Sequence, residues 1–139
     1  MQDKPGHFRE MLVKPMRILI ALGGNAILQR GQKGSSEEQA KNVEKTVEQI
    51  VRMIGAGHEV VVTHGNGPQV GAILIQNELG NPSVPAMPMD VCGAESQGMI
   101  GYMFCQSFRN VFAREGLTDR EATCLVTRVE VDENDPAFA

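Results

Sequence analysis

Two short stretches hold the residues whose types and spacing could do chemistry, Gly23-Gly24-Asn25 and Gly65-Asn66-Gly67. Each follows an apolar run, Ile18 to Leu22 in the first case and Val60 to Thr63 in the second. Glycine lets a backbone come close to a ligand, and successive backbone N–H groups aimed at one point hold an anion. The asparagines add side-chain amides, and a helix starting just after such a turn adds favourable partial charge. The chemistry these groups support is the binding of a small anion or phosphoryl group. Taken singly, either turn is equally well a tight strand-to-helix connection; the same composition at two strand ends argues for a site. Gln97, with Ser96 before it, lies on a later helical stretch from which it could reach a ligand or face solvent. His64 stands beside the second turn, where packing or hydrogen bonding accounts for a lone histidine more simply than base catalysis does. Neither motif contains a lysine, and the nearest cations are Arg30 and Lys33 in a loop.

Other phosphate sites fail on their own terms. A P-loop needs Gly-Lys-Ser/Thr ahead of a helix, and the chain has no such triplet. Gly65, Gly67 and Gly71 form a loosely spaced dinucleotide-type turn, but that pattern requires a strand ending in Asp or Glu roughly 20 residues on. Pro82, Pro85 and Pro88 stand there instead. Cys92, Cys105 and Cys124 are odd in number and lie at no metal-ligand spacing, so they read as reduced, structural thiols, and no metal site is predicted.

The elements that must position the two turns can be read from the pattern. Ile18 to Leu22 is short and wholly apolar, which suits a strand covered on both faces in a parallel sheet. After a polar loop from Gln29 to Gly34, Ser35 and Glu38 form a capping box. Ala40, Val43, Val47, Ile50, Val51 and Ile54 then recur at helical spacing, and Gly55 and Gly57 end that helix. On its outer face, Glu37, Glu38, Glu44 and Glu48 alternate with Lys41 and Lys45, a solvated surface with i, i+4 pairs. Glu59 to Thr63 is the second strand, and Pro68 opens a helix that stops at Gly80-Asn81-Pro82. A third helix is predicted from Asp90 to Arg114; Gly98 and Gly101 inside it are explained by close packing on another element. Ala122 to Val131 reads as a third strand, with Thr123, Leu125, Thr127, Val129 and Val131 on one face. Met1 to Pro15 reads as an extension or tag, residues 16–139 as one domain. A strand, helix, strand unit places both glycine turns at the carboxyl edge of one sheet, where open α/β sheets bind ligands. The fold class is therefore α/β, a mainly parallel sheet with helices on both faces.

Composition sets the outer bounds. At 139 residues, with 42% hydrophobic and 22% charged residues, the chain is that of an ordinary globular domain. A net charge of −4 offers no basic surface for nucleic acid, and no apolar run approaches the roughly 18 residues of a membrane span. These features, with a polar amino terminus and unpaired cysteines, predict a cytoplasmic protein with neither nucleic-acid nor membrane partners.

At the motifs the sequence resembles a known family. Ile20-Ala-Leu-Gly-Gly-Asn-Ala-Ile27, Thr63-His-Gly-Asn-Gly-Pro-Gln-Val-Gly71, Pro85-Ala-Met-Pro-Met-Asp90, Ser96-Gln-Gly-Met-Ile-Gly-Tyr102 and Val129-Glu-Val-Asp132 are similar to the amino-terminal half of the carbamate kinases, in the amino acid kinase superfamily. The resemblance implies a three-layer αβα sandwich and a homodimer. It also implies phosphoryl transfer between ADP and carbamoyl phosphate, giving ATP and carbamate with Mg²⁺, in arginine-fermentation catabolism. Gly23, Gly24 and Asn25, with Gly65, Asn66, Gly67 and Gln97, would then line the carbamoyl phosphate side of the site. Ala21 stands where many relatives in the superfamily carry a lysine, a small residue that carbamate kinases share. Carbamate kinases continue for more than as much again, into the half that binds the nucleotide and supplies the catalytic lysines. The resemblance therefore implies a truncated domain with a half-site, unable to turn over or to hold Mg²⁺ and nucleotide alone. It also implies an exposed strand edge and apolar surface where the other half would pack. Two other readings stand beside it: a non-catalytic module for dimerisation or anion binding, and another amino acid kinase acting on a different acyl phosphate.

Overall fold

A computed structural model describes residues 14–138; residues 1–13, most of the expected extension, lie outside the described residues. The chain runs β1 (Arg17–Leu22), α1 (Ser36–Gly55), β2 (Glu59–His64), α2 (Gly67–Gly80) and α3 (Met89–Arg114), with short 3₁₀ turns at Gly24–Ala26 and Pro136–Phe138. The two strands pair in parallel from Arg17 beside Glu59 to Leu22 beside His64. Their carboxyl ends are thus level, and both glycine turns leave the sheet at the same edge. No helix among the described residues is long and apolar enough to cross a membrane.

Local sequence explains the boundaries of α1. The Ser35 hydroxyl accepts from the Glu38 N–H at 3.3 Å, and the Glu38 carboxylate accepts from the N–H groups of Gly34 and Ser35 at 2.8 and 3.0 Å. That is the predicted capping box, with one extra donor satisfied. At the far end Gly57 adopts φ +94, in the left-handed region, and its N–H reaches the Ile54 carbonyl at 2.9 Å.

Apolar residues of α1 and α3 pack on one face of the sheet. Val43, Val47, Ile50 and Val51 meet Ile100, Phe104, Phe108, Val111 and Phe112, and Ile20, Leu22, Val60 and Val62 close the cluster from below. The three α3 phenylalanines, a turn apart, contact in tilted pairs with ring centroids at 6.4 and 5.5 Å. Helix α2 packs on α3. Ala40, expected on the inward stripe of α1, is exposed; the buried positions one turn before Val43 and directly before it are taken by Gln39 and Asn42.

Three further expectations are corrected. Residues 121–132 form no strand, because no neighbouring strand among the described residues offers them a ladder. The segment is held at Thr127 by the Gln97 side chain, and Leu125 and Val129 remain 78% and 82% exposed. Glu44 and Glu48 do not pair with lysines along α1; both reach across to Arg114 at 3.0 and 2.5 Å, tying α1 to α3. Gly101 does lie under another segment, since a Cβ there would collide with Cys124 Sγ, but Gly98 faces open space.

Burial alternates strictly along both strands. On the second face of the sheet no helix packs among the described residues, so Leu19 and Val61 are 66% and 49% exposed. The parallel sheet and its first helical layer agree with the expected class; the layer expected on the other face has no counterpart in residues 14–138.

Candidate anion site

The site grows out of the level strand ends. Neighbouring strands lie about 4.8 Å apart, so the two turns start within reach of one small ligand. The Gly65 N–H donates to the Leu22 carbonyl at 3.2 Å, extending the ladder by one bond and joining the turns directly. Beyond it the first turn tightens into 3₁₀ geometry, with Ala26 N–H on the Gly23 carbonyl at 3.0 Å and Leu28 N–H on the Gly24 carbonyl at 2.9 Å. Among the described residues the N–H groups of Gly23, Gly24 and Asn25 find no acceptor. The same is true of Asn66, Gly67 and Gln69 at the start of α2, where orphan donors are inherent in a helix end and Pro68 has none to offer.

None of the glycines in these turns has a positive φ, so backbone strain does not require them. A Cβ added at Gly23, Gly24, Gly65 or Gly67 would meet nothing within 4 Å. What glycine secures here is open space over a row of free donors, space that a side chain would fill. Backbone N–H and asparagine amides suit an anion. No carboxylate lies in either turn, so the donor set does not fit a hard cation such as Mg²⁺, and no metal is assigned to them.

The predicted side chains separate into two sets. Asn25 is exposed and lines a cleft of about 330 Å³ with Ile20, Gln29, Lys45 and Thr46. Asn66 is half-buried, and its Nδ2 donates to Ser96 Oγ at 2.7 Å. Gln97 is engaged elsewhere: its Oε1 accepts from the Thr127 N–H at 2.8 Å and its Nε2 donates to the Thr127 carbonyl at 3.3 Å. That amide takes the place of a neighbouring strand, leaving Ser96 as the α3 residue that touches the turns. The His64 ring stacks on Phe104 with centroids 6.3 Å apart and Nδ1 3.1 Å from the Gly65 carbonyl, a packing role. Lys45 adds a cation that the sequence pattern had assigned to a solvated surface.

A buried amide network holds the turns in place. Gln69, at the start of α2, donates from Nε2 to Gln39 Oε1 at 2.9 Å, and Gln39 Nε2 donates to the Gly34 carbonyl at 2.8 Å. One helical turn along, Asn42 Nδ2 donates to the Ile27 carbonyl at 3.1 Å and to Gln32 Oε1 at 2.6 Å. Both turns are therefore anchored to α1 by side-chain amides. The signal was present in the sequence: Gln39 precedes Val43 by four, Gln69 precedes Ile73 by four, and Ser96 stands between Cys92 and Ile100 at the same spacing.

Comparison with known proteins agrees with this architecture. The sequence profile of the amino acid kinase family matches residues 16–133. Among curated relatives, the carbamate kinase of Pyrococcus horikoshii is 52% identical over 126 residues, covering 89% of this chain and 40% of its own length. The carbamate kinase of Trichomonas vaginalis is 48% identical over 124 residues, covering 88% of this chain and 39% of its own. The structure of Giardia carbamate kinase superposes with a TM-score of 0.85 at 46% identity, over 91% of this chain and 42% of that one. Carbamate kinase from Giardia lamblia bound to AMP-PNP gives 0.81 at 47%, over 92% and 44%. The chain thus spans about 40% of the length of the curated relatives it matches.

Proposed function

Because this chain belongs to the amino acid kinase family, we propose that it is the carbamoyl phosphate side of a carbamate kinase. The observation that carries the reading is the pairing of two glycine turns at level strand ends, each with free N–H groups and an asparagine, in a chain 52% identical to a carbamate kinase. In the reaction an oxygen of the ADP terminal phosphate attacks the phosphorus of carbamoyl phosphate. The phosphorus–oxygen bond to the carbamoyl group breaks, its electron pair leaves on carbamate, and ATP forms. The residues of this chain hold the carbamoyl phosphate or carbamate. Gly23, Gly24, Asn25, Asn66 and Gly67 supply donors to its oxygens, Gly65 keeps open space beside them, and the helix starting at Gly67 adds favourable partial charge.

Phosphoryl transfer draws its catalysis from positioning and from positive charge on the transferred group. The turns supply the first and little of the second, since no lysine or arginine lies in either. The reading therefore includes that this chain alone binds the ligand without turning over, the nucleotide and its Mg²⁺ being held by further protein. A homodimer, a cytoplasmic location and a role in arginine catabolism belong to the same proposal.

The test combines binding with turnover. ³¹P NMR titration of the chain with carbamoyl phosphate is expected to show saturable binding that Asn25→Ala weakens. ATP formation from ADP, Mg²⁺ and carbamoyl phosphate is expected to stay at the level of the Asn25→Ala control. Absence of binding by folded protein refutes the site; turnover that the substitution abolishes refutes the half-site.

A further inference from the structure

We propose that Ser96 is a positioning residue, setting which atoms of the Asn66 amide face the ligand; this rests on the reading of the turns as a carbamoyl phosphate site. Ser96 has no exposed surface, and its hydroxyl carries one proton. That proton is committed, because Oγ lies 2.6 Å from the Gly93 carbonyl one turn back along α3. Toward Asn66 the oxygen can only accept, and the Asn66 Nδ2 donates to it at 2.7 Å. Rotating the amide by half a turn would set Oδ1 against the Ser96 lone pairs, two acceptors facing each other in a half-buried place. The backbone of α3 thus fixes the amide through a single hydroxyl.

The consequence concerns what Asn66 has left to offer. One N–H is consumed by Ser96, so Oδ1 and the second N–H remain, and Oδ1 has no donor among the described residues. Close to it stand the free backbone N–H groups of Asn66 and Gly67. An acceptor set beside such donors suits a ligand that carries its own N–H beside anionic oxygens. Carbamoyl phosphate has an amino group on the acyl carbon; acetyl phosphate has a methyl group there. The amide orientation imposed by Ser96 therefore favours the nitrogen-bearing acyl phosphate, and a site built to hydrogen-bond a substrate N–H discriminates against the analogue lacking it.

The experiment uses the full chain with ¹⁵N-labelled asparagine. In the wild type, one Asn66 side-chain proton is expected to exchange slowly with solvent, and carbamoyl phosphate is expected to bind more tightly than acetyl phosphate. In Ser96→Ala both protons exchange rapidly, and the affinity ratio between the two ligands falls roughly three- to tenfold, the worth of one hydrogen bond. Backbone spectra that superpose away from residues 66 and 96 certify the fold. Two results overturn the proposal: fast exchange of both Asn66 protons in the wild type, or Ser96→Ala weakening both ligands equally, which is what a purely structural serine would do. The wild-type exchange rate needs no variant and no ligand. If the wild type binds neither acyl phosphate, the site reading itself fails and the exchange rate alone decides on Ser96.

Discussion

Replacing Asn42 by leucine removes an amide while keeping the branched outline of the side chain, so the variant probes what the buried hydrogen bonds contribute. Asn42 is 4% exposed and donates from Nδ2 to two acceptors, the Ile27 carbonyl and Gln32 Oε1. The two losses differ in kind. Gln32 is half-buried and can turn its side chain to water, whereas Ile27 is fully buried and its carbonyl loses its side-chain donor. Leaving one buried acceptor unsatisfied costs about 1–3 kcal/mol, and the half-buried partner, free to turn to water, adds little. With a urea m-value of roughly 2 kcal/mol/M for a domain of this size, a loss of about 2 kcal/mol moves the midpoint down by about 1 M. The assay is urea unfolding followed by far-UV circular dichroism, with Gln32→Ala as control, expected to shift the midpoint by less than about 0.3 M. Because Ile27 follows the Gly24–Ala26 turn directly, amide exchange from residue 24 to residue 34 should accelerate more than exchange in α3. An Asn42→Leu midpoint equal to that of the wild type would refute the reasoning, since the amide would then be replaceable by hydrocarbon at no cost.

The two glycines inside α3 should respond with opposite sign. Gly98→Ala faces open space in a helix interior and is expected to raise stability by about 0.5–1 kcal/mol, whereas Gly101→Ala forces its Cβ onto Cys124 Sγ and detaches the segment around it. Thermal melts check the first. Faster proteolysis within residues 121–132 checks the second, and equal effects of both substitutions would contradict the packing described. The thiols should alkylate in the order Cys124, Cys105, Cys92. Burial pushes the Cys92 thiol up, with the negative charge of Glu95 adding to it; burial likewise raises Cys105, while Cys124 is exposed. A raised pKa leaves less thiolate at a given pH, so iodoacetamide near pH 8.5 labels Cys124 first and Cys105 gains as pH rises. Peptide mapping that finds Cys92 modified as fast as Cys124 in folded protein would contradict that burial.

Much of this was legible in the residues. Ser35 and Glu38 announced the start of α1, and Val43, Val47, Ile50 and Val51 its buried stripe, because caps and helical periodicity are local. The two Gly/Asn turns at level strand ends could be found the same way, because a strand that runs into free backbone donors needs no distant partner to be recognised. What escaped depends on neighbours that are remote in sequence. Alternation from Thr123 to Val131 gives strand propensity, yet a strand exists only where another chain segment completes its ladder, and Gln97 supplies one residue of that ladder alone. Glu44 and Glu48 sat at the right spacing for lysines of their own helix, but Arg114 brings a two-pronged guanidinium within reach of both. Gln39, Asn42 and Gln69 lie in register with apolar stripes, as does Ser96 beside Gln97, yet hydropathy scores all four as surface. Their burial follows from pairing with one another and with backbone carbonyls, which no single-residue scale contains.

The parallel pairing of β1 with β2 also has a temporal side. Arg17 and Glu59, like each pair down to Leu22 and His64, are 42 positions apart, so no ladder bond can form without closing a loop of that length. For a flexible chain that closure costs about 3 kcal/mol before the first contact is made. Formation of α1 replaces much of the loop by a rod of about 30 Å, which carries β2 back toward β1 and presents the valines that both strands cover. We expect α1 to lead and the sheet to follow, so a Ser35→Ala substitution should slow refolding. An unchanged refolding rate in a destabilised variant would place the capping box outside the transition state. On this order of events the two glycine turns meet last, and the proposed ligand edge is completed only when the rest of the domain has already condensed.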